Sequence, residues 1–208
     1  IFSERSGIID IGLEGKMLLS AFVAATATFL TGSPILGLFA AILASCSASL
    51  IHGFACITHK GDQVISGLAI NILASGLTIT LGIALFSRGG QTPPLASEQR
   101  FMPIEFPFLD QASHVPFLGD LFVEVISGHN ILVYLSVFAV FFTYYVIFKT
   151  RFGLRLRAVG EKPEAVDTAG ISVIKMRYQA ILIAGMLCGL AGAYLSIAHG
   201  AGLGRAMS

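Results

Sequence analysis

The amino-acid sequence predicts an all-α bundle of membrane-spanning helices. Of its 208 residues 55% are hydrophobic and only 12% are charged, whereas a soluble domain carries about 25% charged residues. Glycine, which lets membrane helices pack closely, makes up 23 of the 208 residues. This composition excludes a soluble enzyme and a disordered chain, and the formal net charge of +1 gives no reason to expect a nucleic-acid partner.

Four apolar runs are long enough to cross a bilayer as helices, which takes about 20 residues. None of them contains Asp, Glu, Lys or Arg, and each is bounded by turn residues or cations. We therefore predict spans near residues 35–57, 64–86, 131–148 and 178–198.

The N-terminal region predicts a fifth, irregular span. Residues 17–30 alone would form a helix of about 21 Å, shorter than a hydrocarbon core of about 30 Å. The residues upstream are apolar but interrupted by glycines and carboxylates, which membrane interiors tolerate only where protein or water surrounds them. We expect a broken or re-entrant helix followed by a span, together near residues 8–30, within a single membrane domain covering residues 1–208.

The two long loops differ in charge. Residues 149–177 carry seven basic and three acidic residues, whereas residues 87–130 carry two basic and five acidic ones. Because cytoplasmic loops of membrane proteins are enriched in Lys and Arg, the sequence predicts that loop 149–177 is cytoplasmic and loop 87–130 is external.

A polar stripe runs through the predicted span 64–86. Gly67, Asn71, Ser75, Thr78 and Gly82 recur at helical spacing, so they lie on one face that contacts a partner helix or an aqueous path. A hydroxyl-bearing solute could satisfy the Asn71 amide, and an interhelical hydrogen bond explains it equally well. The candidate path residues are Asn71, Ser75, Thr78 and Ser66.

Three potential metal ligands, His52, Cys56 and His59, are spaced four and three residues apart at the end of the second predicted span. This spacing brings almost any pair together on a helix, and the sequence offers no carboxylate partner, so we predict neither a metal site nor a cofactor. The chain also lacks a phosphate-binding loop and a nucleophile elbow, which argues against an enzyme.

The basic loop predicts a short helix over residues 163–169. Pro163 suits the first helical position, Glu164 and Asp167 suit the positive end of the helix dipole, and Gly170 suits its end. Ala165, Val166 and Ala169 would share one side. The loop either contacts anionic lipid or docks a cytoplasmic protein.

Two motifs give the sequence a family resemblance. Residues 4–15 read Glu-Arg-Ser-Gly-Ile-Ile-Asp-Ile-Gly-Leu-Glu-Gly, and residues 150–171, about 135 residues later, read Thr-Arg-Phe-Gly-Leu-Arg-Leu-Arg-Ala-Val-Gly-Glu-Lys-Pro-Glu-Ala-Val-Asp-Thr-Ala-Gly-Ile. The chain resembles ABC importer permeases of the ribose/branched-chain amino-acid type, with the simple-sugar and purine-nucleoside subgroup as the nearer match. Asp10 stands where that subgroup usually has asparagine, and the ribose branch has aspartate nearby. Family members are longer at both ends, so we expect an internal fragment.

The resemblance implies a type II importer fold in the bacterial inner membrane, acting as the non-catalytic permease subunit for an uncharged nucleoside or simple sugar. It also implies cytoplasmic ATPase subunits, a second permease subunit, an external solute-binding protein and surrounding membrane lipid as partners. The membrane motif comprises Gly7, Asp10, Gly12, Glu14 and Gly15. The ATPase-coupling segment comprises Glu161, Pro163, Glu164, Ala165, Asp167, Thr168 and Gly170.

Two other classes of protein remain open from the residues alone. A secondary transporter or channel would carry its own ion site and need no ATPase, and only Asp10 and Glu14 come near such a site. A structural membrane subunit would not need the 163–169 helix.

Overall fold

The computed structural model describes residues 1–87 and 129–198, and its regular elements there are helices. The elements are α1 (Phe2–Arg5), α2 (Leu13–Thr31), α3 (Pro34–Gly53), α4 (Gln63–Phe86), α5 (Ile131–Lys149), α6 (Arg151–Glu161), α7 (Pro163–Thr168) and α8 (Val173–Ala193). A π-helical turn extends α3 through Phe54–Thr58, and another extends α8 through Tyr194–Ala198. The prediction of an all-α bundle is confirmed. Most of the loop predicted to be external, residues 88–128, lies outside the described residues.

Five helices in the described ranges are long and apolar enough to cross a membrane. They are Leu13–Thr31, Pro34–Thr58, Gln63–Phe86, Ile131–Lys149 and Val173–Ala198. α4 and α5 leave most of their large apolar side chains exposed. Such surfaces are stable against lipid or another subunit rather than against water.

The first long helix, α2, lies within the region near residues 8–30 where the sequence led us to expect a broken or re-entrant helix followed by a span. Residues 6–12 are not helical, and α2 starts at Leu13. Gly7 adopts φ +80°, a backbone conformation that glycine accepts without strain. With 19 residues α2 is about 28 Å long. It is longer than the helix of about 21 Å estimated for residues 17–30, because it also includes Glu14 and Lys16.

The basic loop is more helical than its sequence indicated. Residues 151–161 form α6, whose buried positions Gly153, Leu156 and Val159 recur every three residues. The Thr150 hydroxyl accepts a hydrogen bond from the Gly153 amide at 3.2 Å and caps the helix. α8 begins at Val173, five residues before the predicted start, because the Ser172 hydroxyl caps it through the Lys175 amide.

The centre of the bundle is formed by α2, α3 and α8, which approach closely through small residues. Ala24, Ala41 and Ala193 are buried together with Ile197. A methyl group on Gly189 would lie 2.7 Å from the Ile42 Cα. Close backbone packing of this kind is how membrane helices associate without a hydrophobic driving force between them.

A second apolar cluster lies at the end of the bundle where α6 and α7 pack. It joins five helices, α1, α5, α6, α7 and α8, through seven buried side chains: Phe2, Ile147, Leu156, Val159, Val166, Met176 and Ala180. The amphipathic loop helices are therefore anchored to the membrane spans.

Candidate functional site

The non-helical residues 6–12 lie against α4 and are held there by two of its polar side chains. The Ile9 amide donates a hydrogen bond to the Gln63 Oε1 at 2.7 Å. The Asn71 Oδ1 accepts from the Gly15 amide at 2.8 Å, and its Nδ2 donates to the Ile11 carbonyl at 3.3 Å. Asn71 thus satisfies backbone groups that no helix partner reaches, the interhelical role that the sequence left open.

Glycines on both sides allow this close approach. A methyl group on Gly67 would lie 3.0 Å from the Gly12 nitrogen, and one on Gly15 would lie 2.7 Å from the Asn71 Cα. Gly67, Gly12 and Gly15 are all buried. The small residues of the stripe therefore admit both the non-helical segment and the first turn of α2.

A buried ion pair fixes the middle of the segment. The Lys16 Nζ lies 2.6 Å from the Asp10 Oδ2, and the two side chains are 0% and 1% exposed. The His52 Nε2 approaches the other carboxylate oxygen of Asp10 at 4.0 Å, while its Nδ1 lies 3.0 Å from the Ser66 hydroxyl. Because the Lys16 ammonium neutralises Asp10, this carboxylate is not a free ion-coupling site.

The potential metal ligands do not converge. The Cys56 Sγ lies 3.7 Å from the His52 Nδ1, but the His59 Nδ1 contacts the Phe54 carbonyl at 3.3 Å instead. Across residues 1–87 and 129–198, no group of three or more His, Cys, Asp or Glu side chains could hold a metal ion.

A groove of about 470 Å³ opens beside the stripe, between the start of α2 and the middle of α4. Its polar lining consists of Glu14, Asn71 and Ser75, and Leu18 is among its apolar neighbours. The Ser75 hydroxyl donates to the Asn71 carbonyl at 3.0 Å, and its oxygen can still accept a hydrogen bond. This groove combines hydrogen-bonding groups with open access.

The four candidate path residues therefore separate in space. Asn71 and Ser75 line the groove. Thr78 is buried and donates to the Ser75 carbonyl at 3.1 Å, and Ser66 faces His52. Glu14 joins the groove although the sequence assigned it only to the membrane motif. Its place could not be read from the stripe, because it depends on how residues 6–12 fold back on α4.

Two further grooves run along α5 and α8, with volumes of about 540 and 670 Å³. They are lined mainly by apolar side chains such as Val140, Phe142, Ile183 and Leu187. Their chemistry suits lipid or another helix and does not suit a polar solute.

The short helix α7 ends at Thr168, with Ala169 as its C-cap. Gly170 adopts φ +80°, and the Ile171 amide donates back to the Val166 carbonyl at 3.2 Å, which closes the helix end. Of the three residues predicted to share one side of this helix, Val166 is buried, whereas Ala165 and Ala169 are exposed.

Within the part of the chain that the structure describes, the outer surface of α6 and α7 is exposed and is therefore free to bind a partner. The coupling residues predicted from the sequence divide into Pro163, which is half-buried, and six exposed residues: Glu161, Glu164, Ala165, Asp167, Thr168 and Gly170. This surface carries both signs of charge, since Arg151, Arg155 and Lys162 are exposed beside the three carboxylates, and it is underlain by the apolar cluster.

α6 also contacts the N-terminal segment. A methyl group on Gly160 would overlap the Arg5 carbonyl and would lie 3.3 Å from the Gly7 nitrogen. The Arg177 Nε of α8 donates to the Ser6 carbonyl at 3.3 Å. Residues 5–15 therefore form a continuous chain of contacts from the end of α6 to Asn71 in the groove.

The architecture defines a polytopic membrane bundle with a groove that carries polar side chains and with an anchored surface helix. Residues 1–202 match the family described as branched-chain amino acid transport system / permease component, and the chain belongs to that family. The resemblance drawn from residues 4–15 and 150–171 is thereby confirmed, and the chain is a multi-pass membrane protein.

Curated relatives carry transport names. The chain is 39% identical over 198 residues to the guanosine ABC transporter permease protein NupQ of Bacillus subtilis, covering 92% of this chain and 59% of that protein. It is 34% identical over 199 residues to the nucleoside ABC transporter permease protein NupC of Lactococcus lactis, covering 93% and 60%. It is equally 34% identical over 199 residues to TsgC13 of Haloferax volcanii, a permease protein assigned provisionally by its name to glucose transport, covering 95% and 57%. No solved structure matches.

The chain spans less than two thirds of the length of these relatives. The match to the family covers residues 1–202, which is nearly the whole of this chain.

Proposed function

We propose that this chain is a permease subunit of an ATP-driven importer for a nucleoside or simple sugar. The observation that carries the proposal is the chain of contacts that connects the exposed coupling surface to the polar groove through residues 5–15. Such a series of contacts suits a membrane subunit in which a separate ATPase acts on the solute path. The names of the curated relatives support the solute class.

The solute path in this proposal follows the groove beside α4. Asn71 and Ser75 contribute its polar lining. Thr78 and Ser66 lie outside the lining, where Thr78 donates to the Ser75 carbonyl and Ser66 forms a hydrogen bond with His52. An uncharged solute with several hydroxyl groups suits a lining that consists of hydrogen-bonding groups on an apolar wall.

Cytoplasmic ATPase subunits would dock on α7 and the end of α6. The exposed carboxylates Glu161, Glu164 and Asp167 would pair with cations of the partner, and Val166 anchors the helix in the apolar cluster. Docking would shift the balance between two packed arrangements of the bundle, because α6 contacts the segment that is hydrogen-bonded to α4.

The remaining partners follow from the same function. A second permease subunit would cover part of the exposed apolar surface of α4 and α5, and lipid would cover the rest. An external solute-binding protein would deliver the solute to the side opposite α7. Loop 149–177 would face the cytoplasm, in accordance with its excess of basic residues.

A secondary transporter would need a membrane-embedded ion site of its own. The buried carboxylate of Asp10 is neutralised by Lys16 at 2.6 Å, and the family is that of permease components. The family favours the ATP-driven importer, whereas the pairing with Lys16 removes only Asp10, and not Glu14, from the carboxylates that an ion site could use.

The test is solute-stimulated ATP hydrolysis by the full-length permease purified with its ATPase and solute-binding protein. We expect stimulation by nucleosides or by simple sugars. Stimulation by a sugar alone would move the solute to the sugar branch, and absence of any associated ATPase would contradict the proposal.

A further inference from the structure

Glu14 differs from the other acidic groups of the N-terminal motif. It lies in the first turn of α2, its side chain is exposed, and it lines the groove with Asn71 and Ser75. Among residues 1–87 and 129–198 it has neither an ion-pair partner nor a hydrogen-bond partner. Asp10, four residues earlier, is fully buried and paired with Lys16. Only Glu14 is therefore available to a ligand.

The position of Glu14 along the bundle makes this exposure significant. Its neighbour Gly15 is hydrogen-bonded to Asn71, which lies eight residues from the start of α4 and fifteen from its end. At about 1.5 Å per residue these distances are about 12 and 22 Å. Glu14 therefore lies level with the first half of α4, about 12 Å from the start of that helix, and it is the second residue of the candidate span α2.

A carboxylate between membrane-spanning helices is stable only in a watery cavity or against a polar partner. The groove supplies the cavity, and its volume of about 470 Å³ falls within the range of small-molecule sites, roughly 300–1,000 Å³. An intramembrane ionisable residue that faces a cavity marks a substrate pathway in the absence of a structural partner.

The groove offers mainly hydrogen-bond acceptors. Ser75 has committed its hydrogen to the Asn71 carbonyl, and the Asn71 Oδ1 accepts from the Gly15 amide. The Asn71 Nδ2 keeps one hydrogen besides the one that it donates to the Ile11 carbonyl, so acceptors outnumber donors in the groove and a ligand with several donors fits it. Two adjacent hydroxyl groups on a sugar ring can donate to the two oxygens of one carboxylate, and such charge-assisted bonds are the strong ones.

We propose that the Glu14 carboxylate binds the vicinal hydroxyl groups of the ribose ring of a transported nucleoside. The inference rests on the proposed function, because it assigns a solute contact to the same groove. It makes Glu14 a specificity-determining residue, whereas the sequence motif alone gave it no role in solute binding.

The first test compares ribonucleosides with their 2′,3′-dideoxy counterparts. Proteoliposomes contain the full-length permease, its ATPase and its solute-binding protein, and uptake is measured for adenosine, guanosine, cytidine and uridine and for the dideoxy forms. Loss of a hydrogen bond to a charged group predicts that Glu14→Gln raises the KM for the ribonucleoside roughly tenfold to hundredfold. The ribo-to-dideoxy preference should fall by a similar factor, and the exposed control Glu4→Gln should leave both values unchanged.

A second measurement does not depend on a Glu14 variant that folds. Ser75→Cys places a thiol in the groove while Glu14 stays intact, and its labelling by a maleimide is followed by peptide mass spectrometry without the solute-binding protein. We expect the ribonucleoside to slow labelling and the dideoxy form to have no effect.

The outcomes separate the two proposals. If the wild-type complex takes up no nucleoside or sugar with ATP, the proposed function fails and the inference fails with it. If uptake is normal but Glu14→Gln leaves the preference unchanged, only the inference is overturned. Equal protection by both nucleosides, or a Glu14→Gln effect confined to the amount of assembled complex, would also overturn it.

Discussion

Lys16 and Asp10 form an ion pair, with 2.6 Å between Nζ and Oδ2, inside a bundle that buries both side chains almost completely. The pair closes the non-helical segment onto the first turn of α2. Since His52 approaches the second oxygen of Asp10 at 4.0 Å, the segment is also tied to α3.

Removing one member of this pair should destabilise the protein more than removing both. Lys16→Met leaves the Asp10 carboxylate buried without a partner, at a cost of about 3–5 kcal/mol. The double variant Asp10→Asn/Lys16→Met should recover most of the loss. Unfolding in detergent can be followed by a thiol-reactive dye, because Cys56 and Cys188 are buried in the folded protein. A double variant as unstable as Lys16→Met would contradict the account.

The glycine at the contact between α4 and residues 6–12 should not tolerate a methyl group. In Gly67→Ala the new carbon would lie 3.0 Å from the Gly12 nitrogen and 3.1 Å from the Ile11 Cβ, and overpacking of this kind costs about 1–3 kcal/mol. Gly76→Ala on the same helix is the matched control, since nothing lies within 4 Å of the added carbon. It should stabilise α4 by about 0.5–1 kcal/mol. Equal thermal stabilities of the two variants would refute the close contact.

Separating α6 from the N-terminal segment should uncouple ATP hydrolysis from transport. Gly160→Ala introduces a methyl group that overlaps the Arg5 carbonyl, while the exposed surface of α7 is unchanged. We expect ATP hydrolysis to persist and the amount of solute taken up per ATP to fall severalfold. An unaltered ratio in Gly160→Ala would show that coupling follows another route.

Arginine on the outer face of α7 should abolish ATPase association without unfolding the permease. Glu164, Ala165 and Asp167 are exposed, whereas Val166 is buried. We expect Glu164→Arg and Ala165→Arg to insert into the membrane normally and to lose co-purification with the ATPase. Thr31→Arg, an exposed position at the far end of α2, should retain it. Val166→Arg should instead lower the amount of folded protein, because it places a charge in the apolar cluster.

The sequence predicted those features that depend on local pattern. Apolar runs of membrane length indicated the long helices, and Pro163 and Gly170 bounded α7 to within one residue. Residues 4–15 and 150–171 were sufficient to recognise the family. These features require only the composition of a segment and its immediate neighbours.

The remaining features depend on contacts between distant parts of the chain. Asn71 accepts its hydrogen bond from an amide 56 residues away, so its role could not be read from the stripe. α6 was not anticipated because its cations masked the spacing of Gly153, Leu156 and Val159, which bury against α5 and α8. The start of α2 at Leu13 likewise reflects the long-range fixing of residues 6–12 by Gln63 and Asn71.

ATP-dependent accumulation of a labelled ribonucleoside in proteoliposomes tests the central claim most directly. The full-length permease is reconstituted with its ATPase and solute-binding protein, and uptake is measured with ATP, without ATP, and with a proton or sodium gradient alone. The account predicts accumulation that requires both ATP and the ATPase and that is lost in Glu164→Arg. Accumulation driven by an ion gradient in the absence of ATP would contradict it and would make the chain part of a secondary transporter.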